Sequence, residues 1–272
     1  MIDLIRSEWI KFRSVRSTVV LLVAAAALVI VFAVIAANNQ QGQEDLCRRE
    51  APSQSGSGTL VDEQPCANVA NDPSYVPVPD HLSDVTVGVP VAIFLFGTLG
   101  VQIIGQEYRF NTIRPTFTAA PWRLRVLAAK LVVVGLASAA ASAVMMAICA
   151  LIGKVMLDSF AIDGIDQRII WATLLFAVGW TMYGMGLGAI LRQPVAAIVI
   201  IVIQGLIAEP LLAAQVHALG PWMPFSNGIQ MTQRDGGDPQ IYRSVVAGGV
   251  YFFAVAIAIW AIGAFLANKR DA

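Results

Sequence analysis

The chain offers few side chains of the kind that do chemistry, and their spacing does not gather them. Its two histidines, His81 and His217, are far apart, and neither stands in a spacing that builds a zinc site. No G-x-S-x-G elbow, H-E-x-x-H helix or Walker A loop occurs, so neither a catalytic residue nor a metal ligand is expected. If ATP is used, another chain binds it. Gly184-Met185-Gly186-Leu187-Gly188 has the look of a nucleotide loop but lies inside an apolar run with no strand before it. Gly184 and Gly188, four residues apart, fall on one helical face and are expected to let another helix approach closely. Glu209 is a carboxylate in an apolar run, a costly placement that often marks function. Two readings stand for it: an intramembrane acid that handles substrate or protons, and a structural group at a helix that Pro210 interrupts. Cys47 and Cys66 would close a loop of about 20 residues, for which oxidation contributes on the order of 3 kcal/mol. Two free thiols are the alternative, and Cys149, inside an apolar run, reads as a small buried residue.

Positioning these groups falls to helices that cross a bilayer. Of the 272 residues, 57% are hydrophobic and only 13% charged, against about 25% in soluble domains, and mean hydropathy is +0.68. The 18 basic and 18 acidic residues cancel, so there is no basic field for a nucleic-acid partner. Six apolar runs are long enough to span about 30 Å of hydrocarbon: 18–37, 87–104, 126–152, 169–191, 195–219 and 245–267. The first is a signal anchor rather than a cleavable leader, because 17 residues precede a run of 20. Lys130, near the start of the third, is expected to snorkel. The fold class is therefore an all-α membrane protein with six transmembrane helices, one domain over 1–272, in a lipid bilayer.

Lysine and arginine near helix ends set orientation. Twelve fall on one side, from Arg6, Lys11, Arg13 and Arg16 through Arg109, Arg114, Arg123, Arg125, Lys130 and Arg192 to Lys269 and Arg270. Arg48, Arg49, Lys154, Arg168, Arg234 and Arg243 make six on the other. Both termini are thus expected in the cytoplasm, with 38–86 a polar, flexible extracytoplasmic loop. Pro221-Trp222-Met223-Pro224-Phe225 reads as an interfacial or re-entrant element on that outer side.

Two inner segments stand out. In 1–17, Ile2, Ile5, Trp9 and Phe12 recur at helical spacing as one apolar stripe, which predicts an amphipathic helix in the membrane interface. Between the second and third runs, Glu107 and Arg114 bound about two helical turns before Pro115, setting Tyr108 and Phe110 beside Arg109 at the cytoplasmic surface. Aromatic and arginine side chains are those from which protein interface anchors are drawn.

These two segments carry a family resemblance. Ser7-Glu8-Trp9-Ile10-Lys11-Phe12-Arg13-Ser14-Val15-Arg16-Ser17 and Glu107-Tyr108-Arg109-Phe110-Asn111-Thr112-Ile113-Arg114, followed by Pro121, Arg123, Arg125, Val126, Leu127 and Lys130, resemble the permease subunits of type-2 ABC transporters, above all the small six-span actinobacterial forms. The resemblance implies that the first segment is the interfacial connecting helix. It implies that the second is the cytoplasmic coupling helix, with Glu107, Tyr108, Arg109, Thr112 and Arg114 docking on an ATPase. Asn111 stands where glycine is common in the family, and Pro115 is also unusual there. Further implied are a bacterial plasma-membrane exporter that is not itself an enzyme, a second permease copy as homodimer or heterodimer, and separate ABC ATPase subunits holding ATP and Mg. This chain would bind no cofactor itself. An ion-coupled secondary transporter and a non-transporting anchor or immunity protein are the alternatives.

Overall fold

A computed structural model describes residues 2–50, 80–110, 123–157, 160–234 and 243–270, with backbone alone at 2–3, 43–50, 123 and 270. Among them no strand occurs, and six helices are long and apolar enough to cross a membrane, so the chain is a multi-pass, all-α membrane protein. α1 (Ile2–Ser14) turns at Val15 into α2 (Arg16–Glu50); the short α3 (Leu82–Val85) precedes α4 (Val89–Arg109); α5 (Arg123–Met156) and α6 (Gly164–Leu191) follow. The fifth span is composite: α7 (Pro194–Ile203), a π-helical turn (Gln204–Ala208) and α8 (Glu209–Gln215). A 3-10 turn (His217–Trp222), α9 (Pro224–Gln230) and α10 (Val245–Arg270) complete the chain.

α4 and α6 form the centre: 67% of the apolar window of each is buried, against 17% for α2, 22% for the fifth span and 28% for α10. The outer helices keep their apolar faces for lipid, as expected where hydrocarbon replaces water outside the bundle. The two central helices touch backbone to backbone. A Cβ on Gly184 would stand 2.1 Å from the carbonyl oxygen of Gly97, one on Gly100 the same distance from that of Thr181, and one on Gly188 3.1 Å from that of Val101. The neighbour of Gly184 and Gly188 is therefore α4 of the same chain. On the other side of α6, Gly186 meets Ile259 and Gly263 of α10 in the same manner.

Two expectations about helix ends change. The segment after residue 37 does not leave the helix at once: α2 continues to Glu50, about 52 Å at 1.5 Å per residue. Gln40 and Gln41 are straight-chain residues that lose little rotamer freedom in a helix, and Gln41 donates from Nε2 to the carbonyl of Met156 at the end of α5. Nor does Pro210 end its helix. The proline lacks an N–H and crowds the carbonyl four residues back, and the π turn before it absorbs both, with the Glu209 N–H bonding to Gln204 five residues earlier. The span ends at Gln215, short of 219.

Candidate functional site

At one end of the bundle, α1, α4 and α5 close on three charges. Glu8 lies on the inward face of α1 with Leu4, Ile5 and Phe12; it is 4% exposed. Lys130, 3% exposed on α5, donates from Nζ to Glu8 Oε2 and, at 2.7 Å, to Glu107 Oε1 on α4. Lys11 adds a bond to Glu8 Oε1 at 2.8 Å. Burial pushes the Glu8 carboxyl up, but Lys130 and Lys11 outweigh it and hold the group below the usual range. Lys130 does not snorkel. Two carboxylates enclose it and spare it the reach to water.

The expected docking residues divide accordingly. Glu107 points inward to Lys130, Tyr108 packs against the core with Arg192 5.2 Å above its ring, and Arg109 is exposed, its guanidinium 5.6 Å over the equally exposed Phe110. Arg192 reaches Tyr108 from the tight α6–α7 link, where it adopts a left-handed backbone with φ 55°. Thr112 and Arg114 lie outside the described residues, as does any helix beyond Phe110. Along α1, Ile5 and Phe12 pack inward, whereas Trp9 is 48% and Ile10 61% exposed. These two form an apolar flank suited to the membrane interface. The side chain of Ile2 and the pair Cys47 and Cys66 fall outside the described side chains; Cys149 is buried and free.

The opposite end holds a second cluster, which chain order conceals. Asp163 caps α6 in a reciprocal box with Asp166, and Arg234 clasps both carboxylates, with its Nη1 3.4 Å from Asp166 Oδ1. The Arg234 guanidinium, together with the Asp166 N–H, holds the Asp163 carboxyl well below its usual range. His81 Nδ1 stands 3.6 Å from Asp166 Oδ2 and 4.0 Å from Asp163 Oδ2. His81, Asp163 and Asp166 could thus present three ligand atoms within 4.8 Å of one another. Arg234 already balances this charge from within the protein, so a metal would have to displace it, and the donor set does not by itself call for one. His217 is exposed in the 3-10 turn, outside this cluster. Two further cations of this end also turn to the protein: Arg168 donates to the carbonyls of Gln233 and Arg234, and Arg243 to that of Pro221.

Glu209 is the third feature. It is 2% exposed, and its two oxygens accept from Gln204 Nε2 and the Ser226 N–H, each at 2.8 Å. Tyr183 donates to the other end of Gln204 at 2.7 Å, so one chain of hydrogen bonds joins α6, the π turn and α9. α9 dips into the bundle, burying Phe225, Ser226 and Asn227 while Trp222 stays 62% exposed. That arrangement fits a re-entrant segment anchored at its tip. Glu209→Ala leaves the buried Ser226 N–H without an acceptor, at about 1–3 kcal/mol, and the half-buried Gln204 amide short of one, whereas Glu209→Gln keeps one acceptor oxygen. The expected order of thermal stability in detergent is wild type, then Gln, then Ala; a stable Ala variant would mean the network is not structural.

Comparison of the chain with protein-family models and with curated proteins finds no match in either.

Proposed function

We propose that this chain is the membrane-spanning permease subunit of an ATP-driven ABC exporter, working as a dimer in the bacterial plasma membrane with both termini cytoplasmic. ATP and Mg are held by separate ATPase subunits. The observation that carries the reading is the buried Glu8–Lys130–Glu107 junction, which ties the interfacial helix α1 to the end of α4 beside exposed Arg109 and Phe110. A push delivered at Arg109 reaches a buried joint in which Lys130 pairs with both carboxylates, and hence the central α4–α6 pair. An ATPase that contacts this end differently in its open and closed states biases the bundle between inward-facing and outward-closed arrangements. Glu209 supports the autonomous alternative less well, because its oxygens are already engaged by the protein itself.

Arg109→Ala is the cleanest test, since Glu107→Ala would also leave Lys130 short of a partner. The variant is expected to fold normally and to lose about ten-fold or more of the ATP hydrolysis stimulated by the permease, the scale of an arginine anchor at an interface. Unchanged stimulation in Arg109→Ala would count against docking at this end.

A further inference from the structure

Beside the Asp163–Arg234 cluster lies a cavity of about 610 Å³, within the range of about 300–1,000 Å³ typical of small-molecule sites. α3, the link and first turn leading into α4, one residue of α6 and the segment after α9 line it, at the end of the bundle opposite Lys130. Its polar lining is unusual in what it can still offer a ligand. The hydroxyls of Thr86, Thr173 and Thr232 each spend their hydrogen on a backbone carbonyl, of Ser83, Ile169 and Ile229 respectively. The Ser83 hydroxyl is given to Asp84. Arg234, the lining cation, turns its guanidinium to Asp163 and Asp166. What remains for an occupant is the Gln233 side-chain amide, the hydroxyl lone pairs and the carboxylate of Asp84, which stands near the Arg234 charge and whose oxygens take one hydrogen bond each from the His81 N–H and the Ser83 hydroxyl, with capacity to spare. Val87, Val89 and Pro90 supply an apolar wall.

We infer that this cavity binds a primary organic ammonium group, with Asp84 and the threonine oxygens accepting its N–H bonds and the Val87–Pro90 wall covering its apolar part. A carboxylate or phosphate would meet the like charge of Asp84, while the lining guanidinium of Arg234 is already engaged by Asp163 and Asp166; a quaternary ammonium brings charge without donors. The ammonium could be the head group of an ethanolamine lipid or a free amphipathic amine; the chemistry is shared. The inference does not depend on ATP-driven transport.

The test is calorimetric titration of the purified chain, in nanodiscs of phosphatidylcholine, with octylamine, octyltrimethylammonium and octanol. Octylamine is expected to bind saturably, with octyltrimethylammonium at least ten-fold weaker and octanol showing only partition. Asp84→Asn should weaken octylamine at least ten-fold. Because Asp84 also caps α3, Thr232→Val serves as a second variant of nearly equal shape, with a loss of a few fold. Repeating the titration in nanodiscs containing phosphatidylethanolamine separates the sources: loss of octylamine binding identifies the lipid head group as occupant, and retention identifies a free amine. Equal binding of octylamine and octanol, or full affinity in both variants, would overturn the assignment.

Discussion

Lys130→Met is expected to destabilise the protein by about 3–5 kcal/mol, the scale for breaking a buried ionic cluster by removing one partner. Methionine keeps the apolar stem and removes the charge, so Glu8 and Glu107 are left beside each other with one lysine, Lys11, at the rim. Two signatures separate this from simple loss of packing. In the variant Glu8 loses the Lys130 charge that helps hold its carboxyl below the usual range, so lowering the pH through the carboxylate range should recover part of the loss by protonating it. Adding Glu8→Gln and Glu107→Gln should recover most of it, because neutral side chains carry no unpaired charge into the site. Thermal unfolding in detergent reads the stability, and hydrogen exchange over residues 2–14 reads whether α1 has lifted off. A Lys130→Met protein as stable as wild type, with α1 still protected, would show that the junction does not hold the helix.

Gly184→Ala should have the second large effect. Its Cβ would fall 2.1 Å from a backbone oxygen of α4, where no side-chain rotation relieves the clash, and so the two central helices must separate. Overpacking typically costs about 1–3 kcal/mol, and a backbone-to-backbone contact belongs at or above the top of that range. Gly42→Ala is the control. Nothing lies within 4 Å of a Cβ at Gly42 in α2, so the same change there should leave stability unchanged or raise it by up to about 1 kcal/mol through helix propensity. Equal melting temperatures for the two variants would contradict the close approach of α4 and α6.

These contrasts mark what a linear reading can reach. The six spans are legible because an uncharged run of some 20 residues has few physical alternatives, and the observed helices include or overlap every one expected. Gly184 and Gly188 are legible as a close-packing face; which helix they meet is not, since spacing identifies a face and only the fold supplies the neighbour. The environment of Lys130 is not legible, because a charge near a helix end is expected to reach water, whereas Glu8 and Glu107 come to it from two other helices. A signal was present: Glu8 sits four residues from both Leu4 and Phe12, on the apolar side of α1, where a carboxylate demands a partner. His81 gave no such sign, because its companions Asp163 and Asp166 lie on another helix and only tertiary contact joins them. Proline ends an ordinary helix, and the π turn that accommodates Pro210 has no sequence signature of comparable strength.

The most direct test of the permease reading is affinity purification of the tagged chain from gently solubilised native membranes, with mass spectrometry of co-purifying proteins and an assay of vanadate-sensitive ATP hydrolysis. The account predicts recovery of an ATPase bearing a Walker A sequence, with hydrolysis that falls when Arg109 is replaced by alanine. Recovery of the chain without any ATPase, under conditions that keep other membrane complexes whole, would contradict it.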